Sequence, residues 1–227
     1  MKLVLRLGGH ALFRENCQIN ITLIKDYASI LRTLKHEGHT LHVVVGGGNV
    51  ARQYINVLSK LNASNALKDY LGILITRANA LMLIASLGDI AYRTVPKDYE
   101  DLLNALNSNK IIVCGGLQPG QSTLAVAALI AETIKADYLL NATNVDGVYS
   151  SDPRKDPNAR LIKKLTISEL RRILETEKMP GTYKLFDNLS LDIIERSKIK
   201  VIVFNGTNPN NLLRIVHGES IGTLIIP

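Results

Sequence analysis

The chain has no tryptophan, three phenylalanines and eight tyrosines, so only 5% of its 227 residues are aromatic. So thin a supply leaves no base-stacking surface and no basic stripe interleaved with rings, and it argues against a nucleic-acid-binding module. Cysteine is equally scarce. Two residues, Cys17 and Cys114, cannot staple a chain of this length into a disulfide scaffold. Cys114 closes the apolar run Ile111-Ile112-Val113 and reads as a buried small hydrophobe. No apolar run reaches the roughly 20 residues of a membrane span. The longest, Leu71 to Leu87, is interrupted by Thr76, Arg77 and Asn79. The first residues, Lys2 to Leu7, are already strand-like, without the charged, apolar and cleavage regions of a signal peptide. Internal repeats, low-complexity tracts and Gly/Ser/Pro linkers are missing too. Together these absences imply a soluble, cytoplasmic protein of the reducing compartment, with no membrane partner.

What the chain has in plenty is aliphatic residue, with 46% of its residues hydrophobic. That excludes intrinsic disorder, and a chain of this size buries about 70% of its unfolded surface. The charge balance, 27 Lys+Arg against 20 Asp+Glu, leaves +7. Such an excess suits anionic partners, phosphorylated small molecules among them, or a merely basic surface.

Short runs rich in Val, Ile and Leu alternate with segments of helical period. The strands read as Leu3–Leu7, Leu41–Val45, Lys110–Cys114, Tyr138–Ala142, Lys200–Phe204 and Thr223–Ile226. The helices read as Ile21–His36, Asn49–Leu61, Ala66–Leu87, Tyr99–Asn107, Ser122–Lys135, Ile167–Thr176, Leu189–Ser197 and Asn210–His217. Thr166 and Glu169 have the spacing of a capping box. Several strands are apolar on both faces, as parallel strands between helical layers are. The expectation is a three-layer α/β/α sandwich with a mostly parallel central sheet, forming one domain over residues 1–227.

Glycines follow three of these strands: Gly8 and Gly9, Gly46 to Gly48, then Gly115, Gly116 and Gly120. In a parallel sheet such turns share the carboxyl edge, where ligands bind. Backbone N–H groups can approach an anion there, and helix N-termini add partial positive charge. Two near-motifs carry less. Gly115 to Ser122 matches a P-loop except that Gln121 stands for its lysine, so the grip on β/γ-phosphates is lost. Gly46-x-Gly48-x-x-Ala51 matches a dinucleotide fingerprint. Its ribose-binding acid is missing from the next strand, because Asp69 sits in a helical pattern. His36-Glu37-Gly38-His39 has its histidines three apart, one short of the zincin spacing, and reads as a helix end running into a strand. No resident metal site is expected.

Several strings then converge on one family. They are Gly46-Gly47-Gly48 with Ala51-Arg52-Gln53-Tyr54-Ile55, Lys68 to Ile73, and Thr76-Arg77-Ala78-Asn79-Ala80. Further on come Pro119 to Thr123 with Ala125 to Ala128, Thr143-Asn144-Val145-Asp146-Gly147-Val148-Tyr149, Gly181-Thr182-Tyr183 and Arg196-Ser197. In these, over essentially its whole length, the chain resembles the archaeal-type uridylate (UMP) kinases of the amino-acid-kinase superfamily.

The resemblance implies the reaction ATP + UMP → ADP + UDP, with Mg²⁺ carried on ATP, in a homohexamer built from dimers. UMP would meet Gly47, Asp69 (at the sugar) and the loop Leu117, Gln118, Pro119, Gly120, Gln121, Ser122 and Thr123. ATP would meet Gly8, Gly9, His10, Gly48, Arg52, Thr143, Asn144, Tyr149 and Asp152, with Tyr149 near the adenine. The acceptor side would fall mainly in residues 1–135 and the donor side mainly in 136–227. Arg6 and Arg52 would neutralise the transferred phosphoryl group; since the acceptor is itself a phosphate oxyanion, no general base is needed. Two positions depart from the family's common pattern: Arg6 stands where lysine is frequent, and His10 where serine or lysine is. Arg77 fits either support of the UMP site or a subunit contact. The competing readings are an isopentenyl phosphate or carbamate kinase of the same fold, and a non-catalytic nucleotide-binding subunit.

Overall fold

A computed structural model describes residues 1–14, 17–151, 153, 156–176 and 186–227, with the backbone alone at His10 and Thr176. Its elements follow the chain as β1 (Lys2–Leu7), α1 (Ile21–His36), β2 (Thr40–Val45), α2 (Gly48–Lys60), α3 (Asn65–Leu87) and α4 (Tyr99–Leu106). Then come β3 (Ile112–Cys114), α5 (Thr123–Ile134), β4 (Tyr138–Thr143), β5 (Lys164–Thr166) and α6 (Ile167–Thr176). The last are α7 (Asn188–Arg196), β6 (Lys200–Asn205), α8 (Asn210–Val216) and β7 (Thr223–Ile226).

One seven-stranded sheet runs in the order β3-β2-β1-β4-β6-β7-β5. Five neighbours, β3 to β6 in that order, are parallel, and β7 turns back antiparallel to β6. The three-layer, mostly parallel expectation is met. The strand missed from sequence is β5, whose three residues lie beside polar turns and are too few to show a period.

Both sheet faces are apolar, as the strand composition demands. One face sets Leu3, Leu5, Leu7, Val43 and Phe204 against Tyr27 and Leu31 of α1 and Leu83 of α3. The other sets Val4, Val44, Leu139 and Val203 against the small residues Ala125, Ala128 and Ala131 of α5 and against Ile194 of α7. Arg6 and Asn141, register partners on β1 and β4, interrupt that second face near its carboxyl edge.

The Thr166–Glu169 box forms: the Glu169 carboxylate accepts from the Thr166 N–H at 2.7 Å, and Thr166 Oγ1 from the Glu169 N–H at 3.2 Å. His36 ends α1, and Gly38 follows with φ +85°, so the His36–His39 string is the helix end its spacing suggests. His42 is buried in β2, where its Nδ1 accepts from the Ile112 N–H at 3.2 Å. Burial, then the charge of Lys35, pushes it down to about 4, so it stays neutral. Burial pushes the Cys114 thiol up to about 12, which makes it the inert hydrophobe expected.

One expectation needs correction. By length and composition, residues 65–90 are apolar enough to cross a membrane, despite their polar interruptions. In the fold this helix instead packs on the sheet, burying Ala80, Leu83 and Leu87 together with Thr76 and Asn79.

Candidate active site

The glycine turns meet where their strands end. Gly46 donates its N–H to Leu7 O at 2.9 Å, and Gly8 donates to Ala142 O at 3.1 Å, so the β1 turn is tied to both β2 and β4. The β1 and β2 turns touch backbone to backbone. A Cβ on Gly9 would lie 2.1 Å from the amide nitrogen of Gly48, which itself has φ +65°. No side chain fits between them, and that closeness leaves both peptide backbones free to face a ligand.

Beside this contact opens a cleft of about 460 Å³, walled by Arg6, Gly47, Gly48, Arg52, Asp69, Thr76, Gln118, Gly120, Gln121, Ser122 and Thr123. Two helices begin in its wall, α2 at Gly48 and α5 at Thr123, and each presents unpaired N–H groups and the positive end of its dipole. Ser122 caps α5, its Oγ accepting from the Ala125 N–H at 3.0 Å.

Two guanidinium groups share this cleft. Arg6 reaches out of β1, with Nη2 3.5 Å from Thr123 Oγ1, while its buried Nε has no partner. Burial, then repulsion from Arg52, lowers Arg6 to about 10, with Asp187 pulling the other way. It therefore stays charged at neutral pH, buried beside a second cation.

Asp187 escaped the sequence reading. It caps α7 in a capping box with Ser190 and also accepts from Ser122 Oγ, joining the starts of α5 and α7 near Arg6. The signal was available as Asp-x-x-Ser before an apolar run, a weaker variant of the usual box. Asn141 was missed as well: it is fully buried and both amide atoms lack a partner.

Of the acceptor-side residues, Gly47, Asp69, Gln118, Gly120, Gln121, Ser122 and Thr123 do line the cleft. Leu117 and Pro119 belong to the same loop but not to its wall. Leu117 packs towards the second core face, and Pro119 is exposed. Asp69 sits on α3 and accepts from the Gly120 N–H at 2.9 Å, holding the loop across the opening.

Of the donor-side residues, Gly9 and Gly48 form the backbone contact, and Thr143 ends β4. Asn144 is exposed beside it. Tyr149 donates to Asp146 Oδ2 at 3.1 Å, and Asn205 Nδ2 donates to Asp146 Oδ1 at 2.9 Å. Burial and the Asp146 charge hold the Tyr149 hydroxyl above its ordinary pKa. Asn205 is a further residue missed from sequence, because only the β4–β6 pairing brings it to Asp146. Asp152, Gly181, Thr182, Tyr183 and the His10 side chain lie outside the described residues. The described residues contain no cluster of three His, Cys, Asp or Glu able to hold a metal ion. A second cavity, of about 290 Å³, lies among mainly apolar side chains that include Leu3, Tyr138, Ile215 and Leu224.

Parallel-edge glycine turns, two helix N-termini and two arginines gather at this cleft, the donors a phosphorylated ligand would need. The profile of the amino acid kinase family matches residues 1–205, and the chain belongs to that family. Within it, the chain is similar over its full length to archaeal uridylate kinases. It is 46% identical to that of Sulfurisphaera tokodaii and 44% identical to that of Methanothermobacter thermautotrophicus, each covering 100% of both chains. The crystal structure of uridylate kinase from Archaeoglobus fulgidus superposes with a TM-score of 0.87 at 41% identity, covering 99% of this chain and 100% of that one.

Proposed function

We propose that this chain transfers the γ-phosphoryl group of ATP to UMP, giving UDP and ADP, in pyrimidine nucleotide synthesis. The observation that carries the reading is the Arg6–Arg52 pair. Two mutually repelling cations at two helix N-termini gain most from a ligand that brings several negative charges at once. The uridine acceptor comes from the full-length likeness to uridylate kinases.

The acceptor phosphate, with a second pKa near 6, is already an oxyanion at neutral pH. One of its oxygens attacks the γ-phosphorus in line, the bond from that phosphorus to the β-bridging oxygen breaks, and ADP leaves. No proton has to be removed, so the chain needs no base at the reacting atoms. Its work is to bring two polyanions together and offset the charge on the transferred oxygens. UMP lies along Gly47, Asp69 and the Gln118–Thr123 loop. ATP lies over Gly9, Gly48 and the β4–β6 edge, with Tyr149 and the Asp146–Asn205 pair at its base.

Mg²⁺ is proposed to arrive on ATP, as the likeness to uridylate kinases suggests. When bound, it would offset negative charge on the ATP phosphates. Asp69, Asp146 and Asp187 are described carboxylates around the site, and each already accepts a hydrogen bond. The free thiols of Cys17 and Cys114 agree with a cytoplasmic location.

A homohexamer built from dimers is part of the proposal. Tyr54 and Val57 of α2, Leu61 at its C-cap, and Leu67, Tyr70, Leu74 and Leu81 of α3 are each at least 41% exposed, which gives neighbouring copies an apolar face to cover. Sedimentation equilibrium reads this directly, and a monomer throughout the accessible concentration range overturns it.

The activity itself is tested by ADP release from Mg²⁺·ATP with UMP, CMP, dTMP, carbamate or isopentenyl phosphate as acceptor. UMP should be turned over best, and equal or faster turnover of another acceptor overturns the assignment. Asp69→Asn is expected to raise the KM for UMP about tenfold while leaving that for ATP within about twofold, because Asp69 lines the cleft assigned to UMP and holds its loop through Gly120. An unchanged UMP KM removes Asp69 from the site.

A further inference from the structure

The walls of the acceptor cleft are held from a single helix, by side chains that bond to the backbone of two loops. On α3, Thr76 Oγ1 accepts from the Gly116 N–H at 2.7 Å and donates to Ile73 O at 2.7 Å. Arg77, the next residue, donates from Nε to Gly116 O at 3.0 Å, and from Nη2 to Leu117 O at 3.1 Å and Lys97 O at 2.6 Å. Asn79 Nδ2 donates to Gly46 O at 2.9 Å and Gly47 O at 3.5 Å. Every one of these bonds ends on backbone. Thr76 and Asn79 are buried, where a polar side chain is costly unless paired. Their pairing is spent on two loops, the β3–α5 loop and the β2–α2 turn.

We propose that Arg77 and Asn79 are positioning residues with separate clients, and that α3 thereby sets the width of the acceptor cleft. Arg77 holds the root of the Gly116–Gly120 loop through charge-assisted bonds to two successive carbonyls, a geometry its planar fork suits and an ammonium does not. Asn79 holds Gly46 and Gly47, beside the Gly9–Gly48 contact that the two substrates share. The β3–α5 loop faces only the acceptor, whereas the β2–α2 turn faces acceptor and donor. The proposal rests on reading this cleft as the acceptor site.

The difference in clients gives the two residues different signatures. Arg77→Met is expected to raise the UMP KM about tenfold, with the ATP KM within about twofold, and Arg77→Lys to recover part of the loss. Asn79→Leu is expected to raise both KM values and to lower kcat about tenfold, because it shifts the shared turn. Amide hydrogen exchange supplies a readout that needs no turnover. In Arg77→Met the N–H groups of Gly116 and Gly120 should exchange at least about tenfold faster while that of Gly46 does not, and Asn79→Leu should show the reverse. Equal effects of both variants on the two substrates, or faster exchange spread over the whole chain with a lowered Tm, would mark a merely structural role and overturn the proposal. Failure of the unaltered enzyme to use UMP would instead overturn the acceptor assignment, leaving the exchange pattern to decide whether α3 holds the two loops separately.

Discussion

Arg6→Met is expected to lower kcat by about 10²–10³-fold, some 3–4 kcal/mol of transition-state stabilisation, without lowering the Tm. Activity and stability part company here because the native environment of Arg6 disfavours its charge. Burial and the Arg52 charge bring its pKa down to about 10, outweighing Asp187. Its Nε is buried without a partner. A base whose folded pKa is depressed costs the native state stability at every pH below that value, and the cost fades as pH rises through it. Removing the charge at neutral pH therefore relieves the fold. It also strips the cleft of a cation that, in the proposed reaction, offsets charge on the transferred group. Arg6→Lys keeps a point charge but loses the fork, so it should fall between the two. Steady-state kinetics and thermal unfolding on the same preparations give the answer. A kcat within threefold of the unaltered enzyme, or a loss fully matched by a lower Tm, would sink the role.

Gly9→Ala should be among the most damaging small substitutions at the ligand edge of the sheet. The new Cβ would stand 2.1 Å from Gly48 N, 2.5 Å from Gly48 Cα and 2.7 Å from Gly46 O. All three are backbone atoms, so no rotamer change relieves the overlap, and the β1 and β2 turns must part by about an ångström or more. Displacement on that scale costs about 10²-fold in rate even where the chemistry is untouched. Overpacking adds about 1–3 kcal/mol of instability. Turnover should fall at least 10²-fold with a lowered Tm. Gly38→Ala is the matched control. Gly38 has φ +85° at the end of α1, and a Cβ there meets nothing within 4 Å. That variant should lose about 1 kcal/mol of stability to backbone strain and keep its kcat. Near-normal turnover in Gly9→Ala would refute the close-packed turns.

Much of this molecule was legible without coordinates, and the reasons are local. Apolar periodicity located each α-helix among the described residues to within a residue or two, since period and caps lie within the segment itself; Ile21–His36 matches to the residue. The glycines after β1, β2 and β3 placed the ligand edge, because parallel strands must end on one side. The zincin look-alike failed on spacing and the dinucleotide one on its acid lying in a helical pattern; in the structure His36 closes a helix and Asp69 lies on α3. β5 stayed hidden because a three-residue strand carries no pattern, only a pairing with β7.

The sparse aromatics, two free cysteines and strand-end glycines determined, from the sequence alone, the class of fold and the edge at which phosphates would sit. Each depends on what a short segment can or cannot do by itself. Tertiary structure decided which distant side chains meet there. Asp187 reaches Ser122 across 65 residues, Asn205 reaches Asp146 across 59, and Arg77 reaches the Gly116 and Leu117 carbonyls from a neighbouring helix. It also turned the apolar α3, long enough by composition to span a membrane, into the helix that holds both walls of the cleft. Contacts of that kind depend on how helices lie across a sheet, and no spacing along the chain encodes them directly.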